Sequence, residues 1–438
     1  MTTSHSSSSP RSGTRVGFVD LLRGWAVIVM IQTHVFNALL LPALTAADLF
    51  SVVRFVDGLV APSFLFASGL AYAITTRRKL QEYLAFGWPL FRQLGRLLLI
   101  LLIGYMLHIP RFNYQHLVYE AGPEAWEKFW QVDVLHCIAV SLLFLQVLLL
   151  VLRSEKRLYR TVLVVTVGVV VLTPVMWTLN WSTYLPVAIA SYLNGMYYSL
   201  FPLFPWSAFL FAGALTGHYY TEARSGSRPG GENRMMRRAS ATGLAVILLS
   251  FPLHPLAEAL YPVYDYWHVS PSFVLLRLGL VLLLCGGLFL YEQRKGVQAS
   301  SLVALFGRES LIVYVTHLTL LYGNFFGDSL AHRLGGTFTY GQAIAATLLL
   351  FLLMYLLAFV WGRIKRGPAK WRVALEAAFV TIILLFFFFG SRLLAGAGGP
   401  IPPGPAPASS RPDGALTMLR DSHEITPHTR LPDDHPPR

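Results

Sequence analysis

The stretch VDLLRGWAVIVMIQTHVFNALLL, Val19–Leu41, decides the fold. It is apolar almost throughout and longer than the roughly 20 residues that carry a helix across the hydrocarbon core of a bilayer. Three ionisable side chains interrupt it: Asp20, Arg23 and His34. At membrane depth such groups are costly, so they face a protein interior and mark a functional path. The segment reads as a transmembrane helix with a polar face turned inward.

Comparable apolar runs recur near residues 17–41, 55–76, 90–109, 133–152, 160–178, 200–219, 240–259, 271–291, 302–323, 342–362 and 373–394. Of 438 residues, 55% are hydrophobic and only 13% charged, with a mean hydropathy of +0.54. A soluble globular protein carries about 25% charged residues, so that class is excluded. The expected fold class is all-α: a polytopic integral membrane helical bundle of about eleven transmembrane helices. The first run is too long for a signal-peptide core and lacks a small-residue cleavage site, so it stays a span. Residues 1–16 read as a disordered cytoplasmic tail, 17–394 as one transmembrane domain, and 395–438 as a disordered Pro-rich tail.

Loop charges set the orientation. Inner segments hold clusters such as Arg77, Arg78 and Lys79; Arg153, Lys156 and Arg157; Arg234, Arg237 and Arg238; and Arg363, Lys365 and Arg366. Outer loops hold only Arg54, Arg111, Lys128 and Arg333. This asymmetry puts the N-terminus in the cytoplasm and, with an odd span count, the C-terminus outside, most simply in a plasma (inner) membrane. The net charge of +13 therefore concerns topology and anionic lipid, and no nucleic-acid partner is expected. Cys137 and Cys285 fall inside apolar runs and read as packing residues.

On the first helix Arg23, Val27, Ile31 and His34 fall close to one stripe, with Asp20 beside it. Asp20 and His34 stand about 21 Å apart along the axis. The acid–arginine pair reads either as a packing ion pair or as part of a site at the inner mouth. Asp57 opens the second span from outside, at a depth His34 could approach, and an Asp beside a neutral His is base-orienting logic. It is equally an interfacial Asp near a helix start. QVDVLHC puts Asp133 and His136 on one face near the outer surface, and the outer loop YDYWHVS offers Asp265 and His268. Carboxylate–His hydrogen bonds explain both pairs better than a metal does, and no metal is expected. In the ninth run, Arg308 lies near the inner end while Tyr314 and His317 follow at mid-depth. Arg277 is buried in the eighth, where a counter-charge is the default reading.

DLLRGWAVIVMIQTH, Asp20–His34, resembles the first-helix signature of the membrane acyltransferases: a D-x-x-R pair, a small residue, an apolar run, then His. The acyltransferase-3 superfamily has this pattern, and the heparan-α-glucosaminide N-acetyltransferase catalytic-domain family has a close relative of it. DGLVAPSFLFASGLAYAI (Asp57–Ile74), FPLFPWSAFLFAGALTGHYY (Phe201–Tyr220) and LFGRESLIVYVTHLTLLY (Leu305–Tyr322) resemble the latter family. The likeness runs from about residue 15 to 325.

The resemblance implies transfer of an acyl group, acetyl for choice, from cytoplasmic acyl-CoA (acetyl-CoA) to a hydroxyl or amine of a sugar or glycoconjugate. It places His34 as general base or transient acyl carrier, with Asp57 as its partner. Asp20, Arg23 and Arg308 would then shape the donor site, and His136, Asp265, His268 and His317 the acceptor side. One departure stands out. The lysosomal sugar N-acetyltransferase of that family has its catalytic His in the first outer loop, and here that loop, PALTAADLFSVVRFVD, contains none. The rival classes are a proton-coupled secondary transporter, against which stands the lack of paired broken helices, and a catalytically silent scaffold. Membrane lipids are expected partners, and an oligomer is compatible with the sequence.

Overall fold

The computed structural model describes residues 16–112, 114–226, 229–261, 265–297, 301–323 and 329–368, with isolated positions between 370 and 389. Apart from Val16, the expected tails lie outside the described residues, as does much of the span expected at 373–394. The long helices are α1 (Gly17–Leu39), α2 (Asp48–Asp57), α3 (Val60–Leu84), α4 (Trp88–Leu107), α5 (Val134–Leu152) and α6 (Glu155–Thr178). There follow α7 (Leu203–Ser225), α8 (Gly231–Leu260), α9 (Pro271–Lys295), α10 (Leu302–Arg308), α11 (Ser310–Tyr322) and α12 (Tyr340–Arg366). Among the described residues there is no strand beyond a single bridge pairing Leu40 with Phe338.

Eight helices among the described residues are long and apolar enough to cross a membrane, or nine if one bent pair counts as a span. The expected count of eleven thus exceeds what these residues hold. Helix α7 is absent from the eight although its middle stretch, Ser207–Ala214, is buried. Its middle turns meet protein, and its last turns carry His218, Glu222 and Arg224, of which Glu222 and Arg224 are exposed at the basic end.

Local signals place the ends. Asp133 caps α5 in a capping box with His136 at N3, Ser270 caps α9 ahead of Pro271, and Thr339 and Gln342 form a capping box on α12. The apolar stripes then sort the helices by depth. In its most apolar stretch, α1 is 61% buried and α8 only 17%, so α1 is central and α8 peripheral. Helix α1 lies between α3 and α9 on one side and α10, α11 and α12 on the other. The α3–α7 pair is the most intimate: Gly69 lies against the Leu210 carbonyl and Gly213 against that of Phe66. Small residues let two membrane helices approach this closely.

One end of the bundle gathers the basic loops. There Glu155 accepts from Arg77 and faces His218 Nδ1 (3.3 Å), and Glu292 accepts the backbone N–H groups of Gly17 and Phe18 (2.9 and 2.8 Å). The Lys365 ammonium donates to Glu309 there (2.6 Å).

The ninth expected span is not one helix. α10 and α11 meet at Glu309 with a bend of 86°, because α10 turns aside to pack against α1. Cys137 and Cys285 are buried and free, as packing residues should be.

Candidate functional site

Toward the end of the bundle opposite the basic loops, three elements converge on a set of imidazoles, His136 and His317 buried and His34 half-buried. His34, in the penultimate turn of α1, meets His317 of α11 with 5.2 Å between ring centroids. Tyr322 closes the edge of His34 (5.8 Å), and its hydroxyl donates to the His34 carbonyl (3.2 Å). His317 is fully buried, and its Nδ1–H donates to the Val313 carbonyl one turn back (2.7 Å). That bond fixes the neutral tautomer: the proton sits on Nδ1, so Nε2 presents a bare lone pair. Among the described residues Nε2 has no hydrogen-bond partner. An orphaned buried acceptor is uncommon and costs roughly 1–3 kcal/mol.

His136 shows the opposite arrangement. Its Nδ1 accepts the Asp133 N–H (3.1 Å), so Nε2 carries the proton, and this buried donor also lacks a partner among the described residues. The two imidazoles are linked through α11: the Tyr314 hydroxyl donates to Asp133 Oδ2 (2.7 Å), and the Tyr314 ring lies 5.9 Å from that of His317. Tyr105 stacks edgewise on His136 (4.3 Å) and shares a hydrogen bond with Tyr192 (2.9 Å). Burial, with Tyr105 next to it, raises the Tyr192 hydroxyl well above the usual phenol range, so it stays neutral.

Asp57, at the end of α2, is buried, and among the described residues neither carboxylate oxygen has a partner at hydrogen-bond distance. Its polar neighbours on α1 are Gln32 and Thr33, and Gln32 Nε2 is likewise buried without a partner. No hydrogen bond joins Asp57 to His34. Next to it, the Gly58 carbonyl accepts from the Arg277 guanidinium, which also lies over the Phe273 ring at 4.1 Å. Arg277 forms no ion pair with a described residue, so the expected counter-charge is replaced by a carbonyl and a π face.

The acceptor-side assignments separate. His136 and His317 join His34 in the cluster, whereas Asp265 and His268 pair with each other (2.6 Å) in the loop before α9, against Trp177. At the basic end the donor-side assignments come together. Gly24 lies on the Val303 backbone and Gly307 on that of Asp20, which sets Arg308 beside the Asp20–Arg23 turn. Arg23 also reaches the Ala67 carbonyl (3.5 Å).

Tyr314, Tyr322, Tyr105 and Gln32 were not among the expected site residues. For Tyr314 the signal was available, three positions before His317 on the same helical face. The Asp133-x-x-His136 spacing carried a second meaning as well, a capping box ahead of an apolar run.

No curated protein matches the chain. The family described as heparan-alpha-glucosaminide N-acetyltransferase, catalytic, matches residues 15–250, the segment that supplies His34, Asp57, Asp133 and His136. With more than half of its length matched, the chain belongs to that family of membrane acetyltransferases.

Proposed function

We propose that the protein is an integral membrane acyltransferase. It moves an acyl group, acetyl by its family, from cytoplasmic acyl-CoA to a hydroxyl or amine of a sugar or glycoconjugate. The observation that carries this reading is the meeting of His34 with His317, whose Nε2 lone pair is buried and unanswered. A second hydroxyl or N–H of the acceptor placed there would satisfy it with a hydrogen bond, leaving the nucleophile's own proton to His34.

In this reading His34, half-buried on the signature helix, is the general base. It receives the acceptor's proton as the nucleophile bonds to the acyl carbon and the carbon–sulfur bond breaks. The proton then passes to the departing thiolate. His317 Nε2 holds the acceptor, and His136 Nε2–H supplies a donor on the same side. Asp57 favours the imidazolium on His34 through its charge rather than through a hydrogen bond. At the basic end Arg23 and Arg308 are suited to CoA phosphates, since the guanidinium fork matches phosphate oxygens. Roughly 16 Å of helix separates Arg23 from His34, a span for an extended donor arm. The N-terminus is assigned to the cytoplasm, the C-terminus to the outside, and the protein to the plasma (inner) membrane.

The break at Glu309 favours a second reading, a proton-coupled transporter, because interrupted helices build ion and substrate sites in that class. Purified protein incubated with labelled acetyl-CoA separates the two. The enzyme releases CoA slowly or transfers label, and Arg23→Ala or Arg308→Ala raises the KM for acetyl-CoA severalfold with little change in kcat. A transporter gives neither CoA release nor label. Unchanged donor affinity in both variants would make these arginines structural.

A further inference from the structure

A second feature lies away from the imidazole cluster. Helix α6 packs on α7 while α8 follows α9, so α6 and α8 face each other across a gap. The gap is a cavity of about 1230 Å³ with apolar walls, including Val167 of α6, Leu215 of α7, Leu253 of α8 and Leu278 of α9. It closes at one end, where the Tyr261 hydroxyl donates to the Val171 carbonyl (2.9 Å). At the other end, the basic one, Arg234 and Arg238 line it, one helical turn apart on the same face of α8.

The charges there are unequal. Glu222 also lines this end but faces His218 Nε2 at 3.9 Å, and Glu232 is paired with Arg224 at 3.9 Å. Arg234 and Arg238 form no ion pair with a described residue. Two guanidinia without a carboxylate at ion-pair distance among the described residues, facing only the single charge of Glu222, thus stand at the mouth of an apolar groove that runs into the membrane.

We propose that this groove binds an anionic phospholipid, its phosphate on Arg234 and Arg238 and its acyl chains along the α6 and α8 walls. A soluble anion would use the arginines and leave the apolar walls uncovered. A second copy of the chain would bring apolar side chains against the arginines. A zwitterionic lipid would leave the excess positive charge unanswered. An anionic lipid answers both halves of the groove, as basic clusters at a membrane surface do. This site is independent of the acyl-transfer reading and uses none of its residues.

The test compares wild-type protein, Arg234→Gln/Arg238→Gln and Leu253→Trp, purified in mild detergent, by native mass spectrometry and thermal unfolding. Each receives phosphatidylglycerol, phosphatidylcholine or inorganic phosphate. Wild type should retain phosphatidylglycerol in preference and be stabilised by it. The double variant, changed only at exposed positions, should fold normally and hold the lipid on the order of tenfold more weakly. Leu253→Trp should lower retention by filling the groove with the arginines intact. Equal retention of both lipids by wild type would overturn the proposal. So would stabilisation by inorganic phosphate alone, a lipid-free dimer, or an undiminished preference in the double variant.

Discussion

Tyr314 joins the two halves of the imidazole cluster with one hydrogen bond, to the buried Asp133 carboxylate. Removing that donor leaves a buried oxygen short of a partner, at a cost of about 1–3 kcal/mol. Tyr314→Phe should therefore lower the midpoint of thermal unfolding in detergent while reducing turnover far less than loss of His34 does. An unchanged midpoint would mean that water replaces the hydroxyl and that Tyr314 does not hold the cluster together. At this scale the sequence was partly legible. A stripe ending in His34, and a Tyr and His on one face of the ninth run, are read directly from spacing. That His34 meets His317 is not, because it depends on how α1 packs against a helix far along the chain. Arg277 was misread for a related reason. A guanidinium in an apolar run suggests a carboxylate partner, and nothing local reveals that the Gly58 carbonyl and the Phe273 ring take its place.

Among the elements, the broken ninth span departs most from the sequence reading. Residues 302–323 hold no proline, and only the short Gly307-Arg308-Glu309-Ser310 stretch interrupts their apolar character, so one helix was the natural expectation. The break instead follows from packing, since α10 lies on α1 with Gly24 and Gly307 each against the other helix's backbone. A methyl group at either glycine would collide with a carbonyl that cannot swing away. Gly24→Ala and Gly307→Ala should each destabilise the fold by roughly 1–3 kcal/mol or more, as overpacking does. Gly95→Ala, where an added methyl meets open space, should be neutral or slightly stabilising. Thermal unfolding of the three variants side by side checks this, and three equal midpoints would mean that α1 and α10 are not held by close approach. Helix starts carry local signals that the sequence reading did not use, since Asp133, Ser270 and Thr339 cap the helices that follow them.

For the molecule as a whole, composition alone specified a helical membrane bundle, and the loop arginines are the basis of the orientation proposed for it. Which helices are central was not legible, because α1 and α8 are both long and apolar yet only α1 is enclosed. The orientation makes a simple prediction. A single cysteine at Asn233, an exposed position in the first turn of α8, should resist an impermeant reagent added outside intact cells and react once the membrane is opened. The native cysteines are buried and should stay silent. Ready labelling from outside would invert the topology, and with it the assignment of donor and acceptor sides. The central claim is that acyl transfer is run from His34 on the signature helix. Its most direct test measures turnover and CoA affinity of folded, monodisperse His34→Gln beside His136→Gln and His317→Gln. His34→Gln should lose about 10²- to 10⁴-fold in turnover, the usual scale for a general base, while CoA affinity stays near that of the wild type. Near-native turnover in His34→Gln, with His136→Gln or His317→Gln inactive, would contradict the account and move the catalytic centre to another helix.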